Sequence, residues 1–355
     1  MNKKIFILVP AIIPTGPIKG AIALANALAE QREVTLVSLK SGESAHTPID
    51  SRINLIDLSK LHGGFLSRIK AYKKLLKSAG GRQCLLSISM CFSADLVNLL
   101  CKNFAVTCSS VRGNLPSNYR MDYGWPGLGL AFLHLFMLRL FDHVTVMTES
   151  MAQQVNLFLG RTPCIAGNFV DEMALEQFRM ERSWDGPPRF VFLGSLSKRK
   201  CPGLVIKAIK AFHDKGVMAT LDVVGSGPMM SSVSKMVEDF DLEHSVTFHG
   251  QLSNPYPLVS KADAMVLPSL SEGVSRAALE ALLLGTPCVL RKVDGNASLI
   301  QPGKNGALFT DDSELVDAME FAATFSRRSR GSLIPDGFRQ CDESLRLLRF
   351  IEDQK

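Results

Sequence analysis

Apolar residues in this chain come in short unbroken runs separated by amphipathic stretches. Ile5-Phe6-Ile7-Leu8-Val9 follows directly on Lys3-Lys4, and a continuous run of that size predicts a strand covered on both faces. Pro14-Thr15-Gly16-Pro17 is a turn-rich stretch. Ile22, Leu24, Ala25 and Leu28 then recur at roughly helical spacing, before a second strand-like run at 34–39. Further runs at 85–88, 105–108 and 144–147 predict later strands with helices between them. Trp184-Asp185-Gly186-Pro187-Pro188 is a cluster of breakers, after which the pattern begins again. Strands are expected at 190–193, 221–224, 246–249, 264–267 and 287–290, a polar loop at 194–202, and helices at 204–212 and 276–284. Two such series predict an α/β chain of two Rossmann-like domains, 1–168 and 169–355, facing a shared cleft, with the C-terminal helix free to return to the first. Ligands of such sheets bind outside the carboxyl ends of the strands. The Gly16 loop, the loop 194–200 and the Glu272 loop are therefore expected at the cleft.

Composition narrows the picture. With 46% hydrophobic and 21% charged residues in 355, the chain is that of a folded protein. Its eight cysteines (Cys84, Cys91, Cys101, Cys108, Cys164, Cys201, Cys288 and Cys341) lie far apart, mostly in apolar runs. They read as buried thiols in a reducing compartment. The seven histidines (His46, His62, His134, His143, His213, His244 and His249) form no metal-binding cluster in sequence. The basic and apolar N-terminus resembles a signal peptide, but Pro10 and Pro14 interrupt it, and a buried first strand explains it better. The longest apolar run, 127–141, contains His134 and Arg139 and is shorter than the ~20 residues that cross a bilayer.

Charge is uneven. Residues 1–170 hold 18 Lys and Arg against 9 Asp and Glu, and residues 171–355 hold 22 against 25. The basic half points to an anionic partner: a nucleic acid, a phosphate-bearing substrate or an acidic membrane surface. Within it, 65–77 forms a basic amphipathic helix. Leu66, Ile69, Tyr72 and Leu76 share one face, and Arg68, Lys70, Lys73, Lys74 and Lys77 crowd the rest. It reads either as a sheet-covering helix with a wet face or as a membrane-surface helix.

The most specific segment is Ser271-Glu272-Gly273-Val274-Ser275-Arg276-Ala277-Ala278-Leu279-Glu280, just past a strand ending in Pro268-Ser269. Glu272 falls in the loop at that strand's carboxyl end. The following helix turns the positive end of its dipole toward the same place, which suits a phosphate. Glu280 lies among Ala278, Leu279, Leu282 and Leu283 and, if buried, needs a partner, for which ribose hydroxyls are apt donors.

This segment resembles the E-x7-E element of the retaining glycosyltransferases of family 4, which have the two-domain GT-B fold. Other landmarks fit the same family. The segment 192–200 (Phe-Leu-Gly-Ser-Leu-Ser-Lys-Arg-Lys) resembles its G-R-L-x-x-x-K loop, with Ser195 where arginine is usual and Lys200 at the lysine. Val223-Val224-Gly225-Ser226-Gly227-Pro228 resembles its G-x-G-P turn, and Gly16-Pro17 stands at its glycine pair. Ser298 falls where a third glutamate is common. The resemblance implies Lys200 and Glu272 as catalytic residues. It implies donor contacts from Gly16, Ser195, Arg199, Gly225, Gly273, Val274, Ser275 and Glu280. Lys198, Arg199 or Arg112 would compensate for the missing arginine; Arg112 is either a phosphate or acceptor contact or an ordinary loop arginine.

The activity so implied is transfer of a sugar from a nucleotide diphosphate sugar to a hydroxyl of a glycan or polyprenyl-diphosphate-linked acceptor in surface polysaccharide synthesis. It needs neither metal nor other cofactor and takes no nucleic acid. It would be cytoplasmic, with peripheral contact to an anionic membrane. A sugar-nucleotide epimerase and a two-lobed solute-binding protein are the alternatives; a Rossmann dehydrogenase is weaker, because no G-x-G-x-x-G follows the first strand.

Overall fold

Alternation along the first strand, β1 (Lys4–Ala11), builds two cores at once. Ile5, Ile7 and Val9 enter one, while Phe6 and Leu8 enter the other, as a side-chain period of two requires. The protein is described by a computed structural model at residues 3–13, 15–42, 49–61, 63–180, 186–293, 295–326 and 331–353. Pro14, His46, His62, Trp184 and Asp185 lie outside the described residues.

The chain divides into two units, 1–171 with 340–355, and 172–339. In the first unit β1 is followed by α1 (Gly16–Ala29), β2 (Val34–Lys40), β3 (Asn54–Asp57), α2 (Phe65–Ser78), β4 (Leu85–Ser89) and α3 (Phe92–Leu100). Then come β5 (Val106–Ser110), α4 (Leu115–Tyr123), α5 (Trp125–Leu138), β6 (His143–Val146), α6 (Glu149–Leu159) and β7 (Cys164–Ile165). The strands pair in parallel in the order β3-β2-β1-β4-β5-β6-β7. Helix α1 packs in the core of Ile5, Ile7 and Val9; Tyr72 and Leu76 of α2 and Ala94 and Val97 of α3 share the core of Phe6 and Leu8. Parallel connections that advance in one direction across a sheet lie on one face, so α5 and α6 join the layer of α2 and α3. Two contacts agree: His134 of α5 meets Asp95 of α3 at 2.7 Å, and Phe132 of α5 meets Phe158 of α6.

The second unit runs α7 (Glu172–Glu176), β8 (Arg189–Leu193), α8 (Pro202–Asp214), β9 (Thr220–Val224), α9 (Met230–Asp239), β10 (Val246–Gly250) and α10 (Tyr256–Lys261). It continues with β11 (Ala264–Leu267), α11 (Arg276–Leu283), β12 (Cys288–Arg291), α12 (Asn296–Leu299), β13 (Gly306–Phe309) and α13 (Leu315–Ser326). Its parallel sheet has the order β10-β9-β8-β11-β12-β13. The last helix, α14 (Gln340–Asp353), belongs to the first unit. Leu347 and Leu348 enter the α1 core, and the buried Glu343 carboxylate accepts the Gly167 N–H.

One boundary differs from the expected one. The first unit extends to Asp171 rather than 168, because Phe169 packs in its core and Asn168 accepts from Arg112 Nη1 at 3.5 Å. Residues 340–355 return to the first unit, the arrangement left open for the C-terminal helix, because Leu347 and Leu348 bury in its core. Strands β3, β7 and β13 were not expected from the pattern; each has four residues or fewer and lies toward a sheet edge. Among the described cysteines, Cys101, Cys108, Cys164 and Cys288 are buried and Cys84, Cys91 and Cys201 half-buried; all are free.

Candidate active site

The order of the second sheet places β8 beside β11 at its centre, with β9 and β10 beyond one and β12 and β13 beyond the other. Successive connections therefore leave in opposite directions from β8 and β11. Such a switch point opens a crevice at the carboxyl ends of the two strands. The loop after β8 carries Lys200, and the loop after β11 carries Glu272.

The β8 loop is held in shape by its neighbour after β9. Leu196 N–H donates to Ser226 O at 2.9 Å, and Met229 N–H donates to Leu196 O at 2.9 Å. Gly225 has φ +140° and packs so closely that a Cβ there would lie 1.9 Å from Gly194 O, so only glycine fits. A short turn at 198–200 ends in Cys201, whose φ of +49° is unusual for a residue with a side chain. That turn starts α8 and directs the Lys200 side chain past Gly194, where a Cβ would meet Lys200 Cε at 3.8 Å.

On the facing loop Glu272 is buried and forms an ion pair and hydrogen bond with Lys200 Nζ. Arg199 Nη1 lies 3.6 Å from the same carboxylate and donates to Ser271 O at 3.0 Å. Leu270 N–H donates to Arg199 O at 2.8 Å, tying the two loops through backbone. Burial alone would raise the Glu272 carboxyl, but the charges of Lys200 and Arg199 outweigh it and hold the group below its ordinary value. Gly273, Val274 and Ser275 continue the buried loop, and Ser275 Oγ caps α11 by accepting from Ala278 N–H at 3.4 Å. The site thus gathers two cations, a carboxylate and the positive end of a helix.

Glu280 is buried, and its partner is Arg276, one turn earlier, whose Nε donates at 3.1 Å. Ribose hydroxyls are thus not needed to neutralise it, and the spacing of four on one helix is the sequence signal for this pair. Ser195 is exposed, with Oγ 3.3 Å from Ser197 Oγ, and Lys198 is exposed as well. Arg199 is the cation beside Glu272. Ser298 Oγ donates to Gly295 O at 2.9 Å, closing on its own turn. Gly16 and Arg112 belong to the first unit. Gly16 is the first residue of α1, and Arg112 Nη1 donates to Asn168. Among the described residues no three His, Cys, Asp or Glu side chains gather as a metal site. No helix there is long and apolar enough to cross a membrane.

The same two parallel-sheet units recur in solved structures. HepE of Anabaena, solved with UDP and glucose, superposes with a TM-score of 0.77 at 16% identity, covering 99% of this chain and 100% of that one. The lipopolysaccharide outer core galactosyltransferase WaaB superposes at 0.70, also at 16% identity, over 99% and 100%. The fold is therefore GT-B. Residues 175–326 match the family described as Glycosyl transferases group 1, so the second unit is a group 1 glycosyltransferase domain and the chain a glycosyltransferase. A relative in Campylobacter jejuni, GalNAc-alpha-(1->4)-GalNAc-alpha-(1->3)-diNAcBac-PP-undecaprenol alpha-1,4-N-acetyl-D-galactosaminyltransferase, is 22% identical over 96% of this chain and 94% of its own. The amylovoran biosynthesis glycosyltransferase AmsK of Erwinia amylovora is 24% identical over 54% of this chain and 46% of its own.

Proposed function

We propose that the chain transfers a sugar from a nucleotide diphosphate sugar to a hydroxyl of a lipid-linked glycan in surface polysaccharide synthesis, with retention at the anomeric carbon. The observation that carries this reading is the Lys200–Glu272 pair, set beside Arg199 and the α11 N-terminus where β8 and β11 end. Departure of a nucleoside diphosphate builds negative charge on the leaving phosphate. Preorganised cations and helix dipoles stabilise such charge, each worth roughly 100- to 1000-fold in rate. Lys200 and Arg199 are the groups for that task, and no metal is required for it. Glu272 holds Lys200 in place and presents its second oxygen to donor-sugar hydroxyls. Glu280, oriented by Arg276, accepts from the ribose. The lipid-linked acceptor is suggested by the Campylobacter relative, named for a PP-undecaprenol glycan and matched over nearly its whole length. A cytoplasmic enzyme at the inner membrane face follows from the same reading.

The test is a screen of UDP-, GDP- and dTDP-sugars by donor hydrolysis and thermal shift. One nucleotide class should raise the melting temperature and be hydrolysed slowly, and Lys200→Ala should abolish the hydrolysis. If none of the donors shifts or is turned over, the reading fails. Epimerised sugar nucleotide formed without acceptor would move the chain to the epimerase alternative.

A further inference from the structure

Helix α5 is apolar on both faces, and only one of them is covered. Gly127, Ala131, His134, Leu135, Met137 and Leu138 are buried. On the opposite side Trp125 is 73% exposed, Phe132 and Leu133 52%, Phe136 58% and, just beyond the helix, Leu140 48%. Their spacing makes one continuous stripe along the helix. Guanidinium groups border it: Arg120 stands 4.7 Å over the Trp125 ring and Arg139 5.8 Å over the Phe136 ring. No acidic residue occurs from Gly124 to Phe141.

We propose that this stripe lies in the interface of an anionic phospholipid bilayer and fixes the first unit to the membrane surface. Three observations select a bilayer as the occupant. Tryptophan and tyrosine favour the boundary between acyl chains and headgroups, and Trp125 sits at one end of the stripe beside the exposed Tyr123. Cations at the rim suit phosphate headgroups. The charge continues across the layer, because α2 covers the same face of the sheet and exposes Lys70, Lys73, Lys74 and Lys77. A second copy of the chain docked on the stripe by a two-fold axis would instead pack it against an identical stripe with the same arginine rim and no carboxylate to match it. The helix has 14 residues, about 21 Å at 1.5 Å per residue, so it lies on the bilayer and does not span it. The inference is independent of the donor and acceptor proposed above.

The test uses the full chain with Trp184→Phe, which leaves Trp125 as the single tryptophan reporter. Sedimentation with vesicles of phosphatidylcholine, with and without phosphatidylglycerol, should show binding that needs the anionic lipid and weakens with salt. Trp125 emission should shift to the blue on binding. Replacing Phe132, Leu133 and Phe136 together by Gln should lower partitioning at least ~10-fold. Turnover of donor with a water-soluble acceptor should be unchanged, which separates this inference from the catalytic reading. If that variant does not fold, the Trp125 shift in the parent decides. A protein that ignores anionic vesicles at low salt overturns the proposal, as does binding that depends on the α2 lysines but not on the stripe. So does a dimer, seen by light scattering, that the triple substitution dissolves while vesicle binding is absent.

Discussion

Lys200 and Glu272 neutralise one another in a buried setting, which gives each substitution two readouts. Removing one partner of such a pair leaves a charge without its counterion, at a cost of about 3–5 kcal/mol; Arg199, 3.6 Å from the carboxylate, offsets part of that for Lys200→Ala. The variant should fold by circular dichroism yet lose at least ~100-fold in turnover. Near-normal turnover would transfer the role to Arg199. Acid should reveal the pair as well. The folded Glu272 carboxyl titrates below its ordinary 4.5, so its stabilisation is complete above that pH and is lost as pH falls through the lower folded value. Glu272→Gln should therefore be less stable than the parent at neutral pH, and urea unfolding at successive pH values should show the gap closing below pH 4.5. A gap constant across the acid range would mean that the carboxylate is not held by its cations. A third measurement at this scale concerns metal. With Lys200 and Arg199 carrying the leaving-group charge, activity should persist in excess chelator. Loss on chelation that magnesium or manganese restores would assign that charge to an ion.

Helices and loops bring these side chains within reach. Ser275 starts α11 and so decides where its dipole begins. Its capping bond is long, 3.4 Å, so Ser275→Ala should cost about 0.5–1 kcal/mol in chemical denaturation, with Ser275→Asp keeping most of the stability. An unchanged denaturation midpoint for Ser275→Ala would show that the cap contributes nothing. In the first unit the corner between α4 and α5 turns at Gly124, with φ +68°. It closes because Gly127 has no Cβ, which would stand 2.0 Å from Tyr119 O. Its consequence is the burial of one face of α5 and the exposure of the other. The 127–141 run was visible in the sequence, but its two faces were not. Helix α2 was visible too, and its period correctly paired Tyr72 with Leu76 in the core.

At the scale of the molecule, the last helix closes the first unit. Leu347 and Leu348 fill the core around α1, and truncating a buried leucine to alanine costs about 2–5 kcal/mol. Leu347→Ala should lower the unfolding midpoint clearly, and removal of residues 340–355 should lower it further; thermal unfolding followed by circular dichroism checks both. A midpoint unmoved by the deletion would show that α14 is dispensable. The sequence by itself determined most of the architecture, because parallel strands buried on both faces must be apolar throughout and so announce themselves as runs. It also set Lys200 and Glu272 in loops at the carboxyl ends of strands and Glu280 among apolar residues of the helix that follows, and the resemblance supplied their expected roles. It did not determine the short edge strands, whose two to four residues are too brief to stand out as a run. Nor did it settle the return of α14, a contact between residues more than three hundred positions apart in the chain. Only the tertiary structure decided that Lys200 and Arg199 both face Glu272 and that the outer face of α5 stays bare. Each of these depends on which elements lie side by side, and spacing along one strand or helix carries no record of its neighbour across the sheet.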